Sequence, residues 1–321
     1  MEIVRDTKNY RSACRTSLTI GNFDGIHLGH RRILSELVST ARESGTRSVV
    51  VTFSPHPLKV LRPEKAPCLI TTATEKLALI ELSKVDALII LKFDQELSRL
   101  TGESFVRKIL VEKLRVKHMF VGENFVFGYR RSGDVTLLRS LSRELDYTVH
   151  LVPEVIVRGS RVSSTWIREL IQAGRLSLAN RLLGRYYKVS GEVVPGRGLG
   201  QKFLFPTLNL KLHNEIVPHP GVYVTLTTIK GEQLPSVTNV GWRPTVGGSD
   251  LTIESHVLGT RLTETPTHMA LAFLHRLRDE HKFGSLMALK EQIERDCQRA
   301  NRFFRLMERL RKAGQPVHVA R

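Results

Sequence analysis

From residue 17 to about 152, short apolar runs alternate with stretches whose apolar residues recur at helical spacing. The pattern predicts strands over SLTIG (17–21), SVVVTF (48–53), ALIIL (87–91), HMFVG (118–122) and YTVHLV (147–152). Helices are predicted near 30–44, 74–83, 103–114 and 135–145. In the third of these, Phe105 pairs with Ile109 and Val106 with Leu110 one turn on. Strands that are apolar throughout, alternating with crossover helices, imply a parallel sheet covered on both faces. Further helices over 164–173 and 176–183 close this half.

Beyond about residue 186 the texture changes. Strand candidates follow one another directly: YYKVSGEVV (186–194), VYVTLTTI (222–229), LPSVTNVG (234–241), LTIESHVL (251–258) and HMALAFLH (268–275). Turns such as KGEQ (230–233) and GGSD (247–250) separate them. Closely spaced antiparallel strands imply a small barrel or sandwich. Residues 285–312 repeat apolar positions at helical intervals and are expected to pack on it. The expected division is thus 1–185 and 186–321, without internal repeats or low-complexity segments.

Composition narrows the classes. A chain of 321 residues with 41% apolar residues has room for two domains and a sizeable core. The first residues, MEIVRDTKNYRSACR, hold no apolar stretch of signal-peptide length, and ALIIL is far too short to span a bilayer. Cys14, Cys68 and Cys297 are odd in number and scattered, which suits a reducing cytoplasm better than a disulfide framework or a zinc site. Lys plus Arg is 49 against 31 Asp plus Glu, a formal charge of +18. Such an excess suits an anionic partner: nucleic acid, a membrane surface or phosphorylated small molecules. The basic clusters RLMERLRK (305–312) and RGSR (158–161) are interrupted by other residues. A solvated helix face explains the first as well as nucleic acid does.

The chemistry begins at TIGNFDGIHLGH (19–30). A glycine-rich turn after a parallel strand lies at the carboxyl edge of the sheet, where doubly wound folds bind ligands. The helix starting near Leu28–His30 turns its N–H groups and positive dipole end to the same crevice. His27 and His30 stand on one side of that first turn and can hydrogen-bond a phosphate chain; Gly29 permits a close approach. A His-x-x-His pair can also ligate a metal, but no third ligand is near in sequence. A Walker loop and a true GxGxxG are absent, and GRGLG (196–200) has the wrong spacing. VSSTWIREL (162–170) sets Ser163, Ser164 and Thr165 at a helix start with Arg168 one turn on. That grouping makes either an anion site or an N-cap followed by a surface arginine.

These stretches resemble the bifunctional prokaryotic riboflavin kinase/FMN adenylyltransferase family. GNFDGIHLGH and SSTWIRE look like the two nucleotide-binding motifs of its adenylyltransferase half, and TFSPHP (52–57) and VGENFVFG (121–128) match further stretches. The resemblance implies a Rossmann-like, HIGH-type nucleotidylyltransferase domain with a parallel sheet. It also implies a small antiparallel β-barrel of riboflavin kinase type with a C-terminal helix. The first half would transfer AMP from ATP to FMN, giving FAD and pyrophosphate. By resemblance His27, His30, Ser164, Thr165 and Arg168 hold the ATP phosphates, assisted by Arg161. Gly21, Asn22, Phe23, Asp24, Gly25 and Gly29 would shape the nucleotide pocket, and Asn124 and Phe125 would lie near the flavin. Asn124 stands where the family usually has an acidic residue.

In the second half FPTLNL (205–210) resembles the kinase motif whose threonine and asparagine bind magnesium and ATP, here Thr207 and Asn209. Unaided, the stretch reads as a strand with polar exposed positions. LTIESHVL supplies Glu254, by resemblance the base for the riboflavin 5′-hydroxyl and otherwise a strand glutamate facing solvent. HRLRDEHKF (275–283) also matches. The chain departs from the family at Leu204, Leu208, Trp242 and GTRLTETP (259–266). The expected partners are ATP, riboflavin and FMN, with magnesium as cofactor and neither a specific nucleic acid nor a membrane. One rival keeps the adenylyltransferase with a weak or inactive kinase that chiefly binds flavin. A second takes the charge as the mark of a nucleic-acid-binding protein, with no zinc finger, RNP-type motif or basic zipper to support it.

Overall fold

The computed structural model describes residues 1–5, 10–195, 206–245, 248–260 and 262–314, and the backbone alone of 243–245 and 248–250. GRGLG, Leu204 and Phe205 lie outside the described residues. Contacts group the chain into two compact units, Met1–Ser163 and Ser164–Arg321.

The first unit is built on six strands: β1 (Glu2–Val4), β2 (Thr16–Ile20), β3 (Arg47–Ser54), β4 (Ala87–Lys92), β5 (Val116–Gly122) and β6 (Thr148–Val152). Their spatial order is β1-β4-β3-β2-β5-β6, and every pairing is parallel. All five residues of β2 are buried, which only a sheet covered on both faces allows. One face packs Leu18, Val49, Ile89 and Met119 against Phe105, Val106, Leu110 and Leu138. The other packs Val50, Leu88 and Phe120 against Leu34, Leu37 and Ile80 of α1 (Leu28–Glu43) and α2 (Ala73–Glu81). The helix predicted over 103–114 forms as Gly102–Phe105 continued by Val106–Lys113. Its end winds more widely, with Leu114 N–H donating to Ile109 O at 3.0 Å. The edge strand β1 has three residues, too few to show a period in the sequence.

Chain direction across the sheet reverses at β2. From there β3 and β4 step one way, whereas β5 and β6 lie on the opposite side. Loops leaving β2 and β5 therefore diverge at their carboxyl ends and leave a crevice, the usual ligand position in open α/β sheets.

The second unit holds a closed barrel of β7 (Tyr187–Val194), β8 (Leu208–Leu212), β9 (Gly221–Ile229), β10 (Glu232–Thr245), β11 (Gly248–Val257) and β12 (His268–Arg278). The order is β7-β8-β11-β10-β9-β12, antiparallel throughout, with β12 closing on β7. It is the barrel of the two predicted alternatives. Outward Val222, Val224 and Val237 pack against Ala300, Phe303 and Phe304 of the C-terminal helix Leu286–Lys312. Inward positions carry hydroxyls: Thr225 bonds Ser236 (2.8 Å) and Thr238 (2.6 Å), and Thr227 bonds Ser236 (2.8 Å) and Ser255 (2.9 Å). All five are fully buried, so each would cost stability if it lost its partner.

Helices Ser164–Gln172 and Leu176–Leu183 group with the barrel, ahead of the change of texture near residue 186. The buried Asn180 explains this. Its amide donates to Phe273 O at 2.8 Å, and its oxygen accepts from Tyr187 N at 2.7 Å.

Candidate active site

The loop from β2 to α1 turns by means of unusual backbone: Phe23, Gly25 and Ile26 have φ of 47°, 84° and 38°. Two of the three carry large side chains, which disfavour this region, so the surroundings must hold the turn. Asp24 does much of that. Its buried carboxylate accepts from Ile70 N (3.0 Å) and from Thr71 N (3.2 Å) and Thr71 Oγ1 (3.3 Å). Gly25 N–H donates to Thr71 Oγ1. Asp24 thus faces the segment behind the loop.

His27 is the N-cap of α1. Its Nδ1 accepts from the His30 backbone N–H at 3.3 Å, so any proton on a neutral ring sits on Nε2. The two imidazoles stack, with centroids 3.7 Å apart and planes 15° off parallel, and Phe23 meets His30 edge-on at 5.1 Å. A Cβ at Gly29 would stand 3.1 Å from the His27 ring. The close approach expected at Gly29 is therefore made by the chain's own imidazole.

His30 opens on a cleft of about 740 Å³, which Gly21, Asn22 and Phe23 also line. The loop after β5 contributes Asn124 and Phe125, and Arg62, Arg130, Arg131 and Arg161 make the wall basic. Phe125 stacks on Phe127 with centroids at 5.3 Å. Sequence reasoning missed Glu154, which binds two expected site residues: Asn124 Nδ2 (2.7 Å) and Arg161 Nη1 (2.9 Å) both donate to its Oε1. The Arg161 hydrogen bond, aided by Asn124 and opposed by burial, holds the Glu154 carboxyl below the usual carboxylate range. No motif marks this residue, because its partners come from different loops. Among the described residues no group of three or more His, Cys, Asp or Glu is placed to hold a metal.

Ser164, Thr165 and Arg168 belong to the second unit. There they occupy the start of the helix Ser164–Gln172, Thr165 exposed and Ser164 and Arg168 half-buried.

On the barrel, register decides. Asn209 on β8 stands directly opposite Glu254 on β11, and Asn239 on β10 flanks Glu254 from the other side. Within the strand Leu208 and Leu210 turn to the face opposite Asn209, and Thr207 immediately precedes the strand. Thr207 also lines a cavity of about 1150 Å³ with Val194, Leu208 and the segment 262–267. Asn239 was missed by sequence reasoning. Glu280, within the matching stretch HRLRDEHKF, packs its carboxylate so closely on Gly241 that a Cβ there would lie 2.1 Å from its oxygen.

A helix tip with paired imidazoles at the switch point of a parallel sheet, joined to a barrel with an amide-and-carboxylate face, defines a two-part, nucleotide-handling transferase. Comparison with known proteins agrees. The FAD synthetase family model matches residues 10–166 and the riboflavin kinase model residues 183–304. The chain is 37% identical over 309 residues to the bifunctional riboflavin kinase/FMN adenylyltransferase of Escherichia coli (strain K12), covering 95% of this chain and 99% of that protein. It is 39% identical over 298 residues to the protein of the same description from Pseudomonas fluorescens, covering 92% and 96%. A crystal structure described as a macrolide-efflux protein from Streptococcus pneumoniae is similar at TM-score 0.85 and 26% identity, covering 94% of this chain and 99% of that one. Among the described residues of this chain no helix is long and apolar enough to cross a membrane. The chain belongs to the bifunctional riboflavin kinase/FMN adenylyltransferase family.

Proposed function

We propose that this chain phosphorylates riboflavin to FMN and adenylylates FMN to FAD, each step using ATP and the second releasing pyrophosphate. In the cleft of the first unit an FMN phosphate oxygen attacks the α-phosphorus of ATP as the pyrophosphate departs. Charge builds on oxygens only, so positioning and fixed positive electrostatics carry the rate without a covalent intermediate. His27, His30 and the tip of α1 hold the triphosphate. Because the Nδ1 of His27 is engaged by the His30 N–H, the nitrogen it offers a phosphate is Nε2. Arg161 lines the same cleft, and the family resemblance gives Ser164, Thr165 and Arg168 a phosphate-binding role as well. Gly21, Asn22 and Phe23 wall the pocket, while Asp24, Gly25 and Gly29 shape it from behind. Asn124 and Phe125 lie against the flavin, and the stacked Phe127 extends that aromatic surface.

In the barrel Glu254 takes the proton of the riboflavin 5′-hydroxyl as that oxygen attacks the γ-phosphorus and ADP departs with the bridging oxygen. Asn209 stands opposite Glu254, and with Thr207 just before the strand the three offer an all-oxygen donor set that fits magnesium. When bound, that ion neutralises charge on the β- and γ-phosphates. Three cysteines scattered along the chain suit a reducing cytoplasm as the location.

The stacked imidazole pair at a helix N-terminus in the switch-point crevice carries this reading. Incubation of the full chain with riboflavin, ATP and magnesium, followed by separation of the flavins, tests it. FMN should appear first and FAD after it. FAD from added FMN with riboflavin never phosphorylated would overturn the kinase half, and no FAD from FMN would overturn the other.

A further inference from the structure

The segment Ile70–Lys76 holds the loop bearing the imidazoles from behind. Asp24 grips its first two amides, and Thr72 caps α2 by accepting from Glu75 N at 3.2 Å. From the first turn of α2, Lys76 reaches back. Its Nζ donates to Asn22 O at 2.8 Å and to Thr52 Oγ1, at the end of β3, at 3.0 Å. Thr52 is buried, and its hydroxyl also donates to Asn22 O at 3.3 Å.

An ammonium is a costly choice for this task, since a half-buried position strips part of its hydration. A neutral donor could satisfy a loop carbonyl. What the cation adds is charge. Asn22 lines the cleft, and its carbonyl oxygen would repel an anionic ligand if it swung inward. Tied to Lys76, that oxygen points away, and the N–H of the same planar peptide points the opposite way. The positive charge also sits directly behind a loop that must face a triphosphate.

Building on the reading of this cleft as the adenylyltransferase site, we propose that Lys76 is a positioning residue for adenylyl transfer. It locks the Asn22 carbonyl out of the nucleotide pocket and fixes a cation beneath the phosphate-binding loop. Burial lowers its pKa below the ordinary 10.5, opposed by Asp24. Asp24 is the charged group facing it among the described residues; its partners from the loop and β3, Asn22 O and Thr52 Oγ1, are neutral. An alkaline limb in the adenylyltransferase rate, below pH 10.5, follows as the ammonium loses its proton.

The test measures FMN adenylylation by the full-length wild type, Lys76→Met and Lys76→Arg across pH. Riboflavin phosphorylation by the same preparations reports whether each variant is folded. Lys76→Met should lose on the order of 10²-fold in kcat, the scale for removing one fixed electrostatic contribution, with KM for ATP changed far less. Lys76→Arg should recover most of that loss and abolish the alkaline limb, because a guanidinium stays charged; a merely structural role would leave the limb in place. Lys76→Met with wild-type adenylylation, or an alkaline limb that persists in Lys76→Arg, overturns the proposal. So does a loss of kinase and adenylyltransferase activity in equal measure in both variants. A wild type that makes FAD beside such variants removes this proposal alone, whereas a wild type that makes none removes the assignment of the cleft as well.

Discussion

The sheet unit and the barrel unit assemble their chemistry in opposite ways. In the first, the paired imidazoles and the helix tip lie within a few positions of one another, because a strand end, a tight turn and a helix start bring neighbours in sequence to one crevice. In the barrel, Asn209 and Glu254 are far apart along the chain and meet only because β8 and β11 pair in one register. A local site is as sound as its turn. A register site depends on every strand pair around the barrel, since a slip of one residue would send Glu254 into the hydroxyl-filled interior and Ser255 out.

The sharpest way to break the comparison is to disable one site and watch the other. His30→Ala should reduce FAD formation by on the order of 10³-fold or more while riboflavin phosphorylation stays near wild type, since the lost donor acts at one crevice only. Equal loss of both activities would show that the two chemistries do not use separate sites. Glu254→Gln should do the reverse, abolishing FMN formation from riboflavin while FAD still forms from added FMN. Unchanged kinase turnover would remove Glu254 as the base.

A smaller effect tests the local packing. Gly29→Ala places a methyl 3.1 Å from the His27 ring, close enough to push it by a few tenths of an ångström. It should weaken the cap by about 1 kcal/mol and slow adenylylation roughly tenfold, with the kinase again unaffected, as read by thermal unfolding and flavin assay. Full activity would mean that the ring can move without consequence.

The smallest effect concerns pH. His118 Nδ1 and His150 Nε2 lie 3.1 Å apart on β5 and β6, and His150 stacks on Phe120 at 4.5 Å. Burial, then His150, Lys117 and Arg15, push the His118 imidazole below its ordinary 6.5, and burial does the same to His150 against Glu36. Lowered in the folded state, these groups bind protons more readily when unfolded. Their stabilising contribution is therefore complete above about pH 6.5 and is lost as pH falls from there towards the folded values. Unfolding temperature of the first unit should drop between pH 7 and 5, and His118→Asn should flatten that drop; an unchanged slope would clear the pair of any part in it.

The fold was legible where period and length were strong. The five longer strands of the sheet, the crossover helices and the C-terminal helix stand within a few residues of their predicted positions. β1 was not legible, because three residues at an edge carry no period. Asn180 shows why the boundary near 186 differs from the contact division. An amide inside an amphipathic helix gives no sign of the barrel atoms it will bind. For the same reason Glu154 and Asn239 escaped notice.

What the chain determined by itself was the set of elements, the two fold classes and the turn-and-helix motif, because each follows from interactions between residues close in sequence. Tertiary structure alone decided that Asp24 turns to Ile70 and Thr71, that Lys76 holds Asn22, and that Glu254 stands between two asparagines. Those arrangements depend on which distant atoms satisfy a buried polar group, and a linear pattern of apolar and polar residues does not encode that choice.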